Sequence, residues 1–130
     1  MRPKSESNDL SYCESMVMKL VWDAGKDISI QELITQLRER YNKDYARTTV
    51  VTFLGKISEK GYITTYRKGK NSYIHAEKDE DWYKKKKLNE ETRFWYEDDP
   101  VQLISALCES RKITGDEITR MRKLLNELDA

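Results

Sequence analysis

The sequence predicts a mainly α-helical chain with one small β-hairpin, and three observations carry that reading. Apolar residues recur at helical spacing through most of the 130 residues. Boxes of the form Ser/Thr-x-x-Glu stand at Ser11 and Glu14, at Ser29 and Glu32, and at Thr114 and Glu117; each can satisfy two free amides at the start of a helix. One stretch, residues 62–76, is instead rich in β-branched and aromatic side chains and turns back on itself at Lys68-Gly69-Lys70-Asn71.

Taken in order, the first helix begins at Tyr12, carries Val17, Leu20, Val21 and Ala24 on its apolar face, and stops at Gly25, which accepts positive φ without strain. The second opens at the Ser29 box, buries Ile30, Leu33, Ile34, Leu37 and Tyr41, and stops near Asn42. A short turn leads to a third helix over 46–60, with Val50, Leu54 and Ile57 facing inward and Gly61 as its stop. The hairpin follows directly. Three helices and then a hairpin with a basic tip is the order of a winged helix-turn-helix.

From Asp79 the pattern is helical alone: a linker helix through 81–96, a break at Asp98-Asp99-Pro100, a helix from Val101 to about Arg111, and a last helix from the Thr114 box with Ile118, Met121, Leu124, Leu125 and Leu128 on one stripe. Separate amphipathic helices of this kind lack a partner for their apolar faces, and a second copy of the chain is the economical one. The expected organisation is a winged-helix DNA-binding domain over 1–78 and a helical dimerisation region over 79–130.

Composition narrows the function. The net charge is only +1, yet residues 1–78 hold 14 Lys/Arg against 10 Asp/Glu, while 79–130 hold 10 against 13. Within Lys43 to Lys70, seven basic residues face two acidic ones, Asp44 and Glu59, the local bias that a phosphate backbone selects. No apolar run approaches the roughly 20 residues needed to cross a bilayer, and the first nine residues are polar, so a cytoplasmic location without membrane insertion is expected. Cys13 and Cys108 are too few for a disulfide framework or a thiolate metal site and are expected to pack as small buried groups. His75, the one histidine, has no second ligand near it in sequence and is expected to be structural. Nothing pairs a nucleophile with a base, cradles a phosphate in glycines or converges two carboxylates, so no catalytic residue, metal or cofactor is expected.

The order of elements and four strings resemble one family. The strings are Glu14-x-x-Val17-Met18-x-x-x-Trp22, Lys43-Asp-Tyr-x-x-x-Thr49-Val50-x-Thr52, Lys60-Gly-Tyr-Ile, and Ile113-Thr-x-Asp-Glu-Ile-x-x-x-Arg-x-Leu-Leu. Over about residues 10–128 the sequence is similar to the penicillinase-repressor (BlaI/MecI/CopY) family of winged-helix regulators. The resemblance implies a homodimer that represses transcription from a palindromic double-stranded DNA operator, with a membrane-bound sensor peptidase system as a partner that triggers its cleavage. The chain departs from the family pattern at four places. The Ser-Pro-Lys-Thr that opens the third helix is here Ala46-Arg47-Thr48-Thr49. Val51 stands where an Arg is common, and it can meet a thymine methyl but cannot bridge guanine O6 and N7. Ala106-Leu107 replace the cleaved Asn-Phe pair, and no Cys-x-Cys follows Cys108 as in the copper-responsive members.

The candidate reading face is therefore Arg47, Thr48, Thr49, Val51, Thr52 and Lys56 of the third helix, with Arg67, Lys68 and Lys70 of the wing reaching phosphates. Lys60 is expected to join Arg47 and Lys56 on the backbone. Trp82, Phe94, Trp95, Leu103, Leu107, Ile118, Met121 and Leu125 are the candidate dimer contacts, and Trp82, Tyr83, Phe94, Trp95 and Tyr96 are read as packing rather than as an aromatic cage. The run Lys84 to Lys87, set among Asp79, Glu80, Asp81, Glu90 and Glu91, reads as a solvated helix face. Two alternatives stay open: a winged-helix module that binds an acidic protein partner instead of specific DNA, and a C-terminal half that senses a small ligand between aromatic walls.

Overall fold

A computed structural model describes residues 9–130 as helices α1 (Tyr12–Ala24), α2 (Ile30–Tyr41), α3 (Arg47–Glu59), α4 (Glu80–Trp95), α5 (Pro100–Ser110) and α6 (Gly115–Asp129), with strands β1 (Ile28–Ser29), β2 (Ile63–Lys68) and β3 (Asn71–Ala76). It matches the winged-helix architecture that the sequence predicts, with one addition. The hairpin is part of a three-stranded antiparallel sheet of order β1-β3-β2, in which Ile28 pairs with Ile74 and Ser29 with Tyr73. Two residues are too few to show a period-2 pattern, so β1 leaves no trace in the sequence.

Local chemistry sets the boundaries. Both arms of the Ser11–Glu14 box are made, and α1 ends at Gly25 with φ 66°. At α2 only the hydroxyl arm is present, Ser29 accepting from the Glu32 amide, while Ser29 also closes β1. Asn42 takes the left-handed cap at φ 55°. The wing turns through Gly69-Lys70, with Gly69 at φ 65° as the first central residue, the position a type II′ hairpin assigns to glycine. Asp99 caps α5 through its carboxylate on the Val101 amide, with Pro100 at the first helical position.

The chain divides into two compact units between Lys86 and Lys87. In the first, Val17 and Met18 of α1, Leu33 and Leu37 of α2, Val50 and Ile57 of α3, and Ile63 and Ile74 of the sheet are fully buried together. Full burial of each such side chain is worth about 1.5–3 kcal/mol. Tyr83, from the first turn of α4, closes this core between Trp22 and Tyr62, with ring centroids at 5.8 and 5.6 Å. Trp22 donates its indole N–H to the Lys78 carbonyl at 2.8 Å.

One charge lies inside this unit. Glu14 has a side chain only 4% exposed, and its Oε1 accepts from Lys60 Nζ at 2.5 Å and from the Ser11 amide at 2.9 Å. Burial pushes the Glu14 carboxyl up, but the Lys60 ammonium, the Ser11 amide and the more distant Lys56 outweigh it and hold the group below the usual glutamate value. Lys60 also donates to the Asp9 carbonyl at 2.7 Å, and Asp9 in turn takes Lys86 at 3.0 Å. Lys60, expected from its sequence position to face phosphate, instead turns its ammonium inward to a buried carboxylate.

The second unit is different in kind. α5 and α6 bury no residue, although their apolar stripes are intact. Cys13 is half-buried and Cys108 is exposed, so neither is the fully buried group expected, and Cys108 lies on a helix with no core above it. Within this unit Arg111 grips Glu117 through two hydrogen bonds of 3.0 and 2.6 Å, and that guanidinium, together with the Thr114 amide, holds the Glu117 carboxyl down to about 2.

Replacing Lys60 by Met leaves the Glu14 carboxylate buried without its partner and is expected to cost roughly 2–3 kcal/mol, below the fully buried figure because Lys60 keeps some contact with water. Because the folded-state pKa of Glu14 is depressed, its contribution is present above the ordinary glutamate value and is lost as pH falls through the depressed one. Glu14→Gln should accordingly lose less stability than wild type on acidification, read from urea midpoints.

Candidate nucleic-acid interface

The core fixes which side of α3 is available. Val50, Leu54 and Ile57 point inward, which leaves Arg47, Thr48, Val51, Thr52 and Lys56 exposed, with Thr49 half-buried at the margin. Val51 is 47% exposed and adds an apolar group to this otherwise polar face. Thr52 donates its hydroxyl to the Thr48 carbonyl at 3.0 Å, so it presents its methyl group and oxygen lone pair outward rather than its proton. Among the described residues, neither Arg47 nor Lys56 makes an ion pair.

The start of α3 is open. Ala46 occupies the cap in extended conformation without a side-chain hydrogen bond, and no acidic residue stands in the first turn. The first amides and the positive end of the helix dipole are left for water or an anion. Tyr45 and Phe53 pack edge to face at 5.3 Å, and the Tyr45 hydroxyl lies 3.7 Å from Cys13 Sγ, which fixes the turn that delivers α3.

In the wing, Lys68 pairs with Asn71 across the two-residue turn, and Arg67, Lys68 and Lys70 are all exposed and make no ion pair among the described residues. Sequence reasoning missed what lies behind that tip. Asp27, in the turn after α1, accepts from Tyr66 on one carboxylate oxygen at 2.6 Å and from His75 on the other at 2.8 Å. His75, expected to be merely structural, is half-exposed, and the Asp27 carboxylate raises its pKa. The missing signal was spatial: Asp27 reaches Tyr66 and His75 only because β1 seats it beside β3.

The candidate dimer residues fall in both units. Trp82 lies in the first, its ring under Lys78 Nζ at 4.7 Å and 6.3 Å from Tyr62. In the second, Phe94 and Trp95 pack edge to face at 4.8 Å, Leu103 and Met121 are half-buried, and Leu107, Ile118 and Leu125 are exposed. A shallow groove of about 280 Å³ runs between α5 and α6, lined by Leu107, Ile113, Met121 and Leu124 with Arg111, Glu117 and Arg120 at its rim. Among the described residues there is no group of three metal-ligating side chains, and no helix is long and apolar enough to cross a membrane.

A winged helix-turn-helix with an open, partly basic face on its third helix defines the class. The chain belongs to the penicillinase repressor family, whose model matches residues 10–127, and this is a family of transcriptional repressors. Its fold is similar to the solution structure of the DNA-binding domain of the repressor BlaI, with a TM-score of 0.50 and 23% identity over 59% of this chain and 90% of that one. It is 28% identical over 64 residues to an uncharacterised 16.5 kDa protein from the ptsI 3′ region of Latilactobacillus sakei. That match takes in 49% of this chain and 42% of the relative, less than half the length of that curated protein.

The open cap at Ala46 gives a direct check. Ala46→Ser supplies the missing acceptor for a first-turn amide and should stabilise the winged unit by about 0.5–1 kcal/mol, seen as a Tm raised by several degrees.

Proposed function

We propose that the chain is a dimeric repressor that reads a palindromic DNA operator through α3 and a basic wing. The observation that carries the reading is the sorting of cations around α3. Lys60 is drawn into the core by Glu14, while Arg47, Lys56, Arg67, Lys68 and Lys70 stay exposed and unpaired among the described residues, as phosphate ligands must be. Between them Thr48, Thr49, Val51 and Thr52 offer methyl groups and hydroxyl oxygens, which suit thymine methyls and base-edge donors better than guanine. Arg47 and Lys56 then position α3 while these short side chains discriminate.

The helical region over 79–130 supplies dimerisation in this reading. Ile104, Leu107, Leu124, Leu125 and Leu128 are each at least 45% exposed, more contiguous apolar surface than a solitary helix pair tolerates in water. A second copy covers it and sets two recognition helices in successive major grooves, about 34 Å apart. We place the protein in the cytoplasm, where such an operator is reached. A membrane-bound sensor peptidase remains the partner that the family suggests, but Ala106-Leu107 lie inside α5, so cutting there would first require that helix to unwind.

Binding should weaken steeply with salt. Alanine at Arg67, Lys68 and Lys70 should flatten that salt dependence by about one counterion per lost phosphate contact and leave sequence preference unchanged. Thr52→Ala should instead lower discrimination at its base pair, by about 1–3 kcal/mol if the contact is specific, with the salt slope unaltered. Fluorescence anisotropy on duplex libraries reads both. Retention of an acidic protein partner by a chain that binds duplex DNA at no salt concentration would replace this reading with that of an interaction module.

A further inference from the structure

The outer face of the wing sheet carries a second network besides the basic tip. Tyr66 pairs across the strands with Tyr73 and stacks on it at 5.7 Å, and Thr64 pairs with His75, so these four side chains share one face. Asp27 enters this face from outside the hairpin. One residue before β1, it stands beside His75 on the central strand, and its carboxylate spans β3 to reach Tyr66 on β2. Glu77 completes the set, with Oε1 at 4.0 Å from His75 Nε2 and accepting from the Thr64 hydroxyl at 2.9 Å.

We propose that Asp27 is a positioning residue for the wing: its carboxylate ties Tyr66 of β2 and His75 of β3 to the turn after α1, and the charge on His75 sets how firmly the basic tip is held. Arg67 follows Tyr66 directly, so whatever fixes Tyr66 fixes the first cation of the tip. The device deepens the DNA-binding reading above and rests on it for its consequence, though not for its existence.

Both halves of the grip have a charge sign. Tyr66 donates to Asp27 at any neutral pH, and its hydroxyl is correspondingly harder to ionise. His75 is bound most strongly as imidazolium, because Asp27 at 2.8 Å and Glu77 at 4.0 Å both favour the cation. The other charged groups at this place are Lys26 beside Asp27 and Lys78 and Asp79 after β3; all three line the cleft of about 390 Å³ that opens next to the ring. Protons therefore reach His75 from bulk water. A histidine with a raised folded-state pKa contributes its full grip below the unfolded value and loses it as pH rises through the raised one.

The chain has a single histidine, so one imidazole resonance reports the switch. Its NMR titration midpoint should lie above the ordinary imidazole value in wild type and return to it in Asp27→Asn. Duplex affinity should fall by about two- to fivefold more between about pH 6 and 8 in wild type than in His75→Gln, the span of an exposed ion pair. Gln keeps a donor for Asp27 and does not titrate. Amide exchange across β2 and β3 should quicken in Asp27→Asn while the α1–α3 core stays protected. An ordinary titration midpoint in wild type, or unchanged wing exchange in Asp27→Asn, overturns the proposal outright. A raised midpoint and a loosened wing in a chain that binds no duplex support the clamp and refute the DNA-binding reading instead.

Discussion

Glu14 lies at the start of α1 with almost no access to water, and an ionised carboxylate there is tolerable chiefly because Lys60 reaches it from the far end of α3, helped by the Ser11 amide. That single pair links the first helix to the third at the point where the chain turns into the wing. With Lys60 committed, the end of α3 is fixed against α1, and the Tyr62 and Ile63 pair that follows enters the core at full burial. The exposed face of α3 depends on this geometry, since a helix held at its C-terminal end by a charge and along its length by Val50, Leu54 and Ile57 can offer only the opposite side to solvent. The same pair turns a lysine of the most basic stretch of the chain inward.

Much of this arrangement was legible in the sequence where the controlling interactions are local. The Ser11 and Thr114 boxes, the left-handed cap at Gly25, the stop of α2 at Asn42, and the Gly69 turn each depend on residues within a few positions of one another, and the structure places them as the spacing predicts. The reading of α3 as core on one side and polar on the other follows from the same 3.6-residue period. What escaped depends on contacts across 39 to 51 residues: the Tyr66–Asp27 bond, the His75–Asp27 pair and the withdrawal of Lys60 toward Glu14 and Asp9. Charge type and position along a helix do not say which lysine finds a buried carboxylate.

The two units solve their apolar surface in opposite ways. The winged unit encloses Val17, Met18, Leu33, Leu37 and Ile74 completely, whereas α5 and α6 keep Leu107, Leu124 and Leu128 in water. In the dimer proposed above, a symmetric second copy would cover that surface with the same residues on both sides.

Whether two copies read an inverted repeat through α3 is decided by selecting bound duplexes from a random DNA pool and weighing the recovered complex. An enriched inverted repeat whose half-sites are about one helical turn apart, occupied by two chains, is the expected result. Uniform enrichment with no repeat, or a single chain bound to a lone half-site, would contradict it.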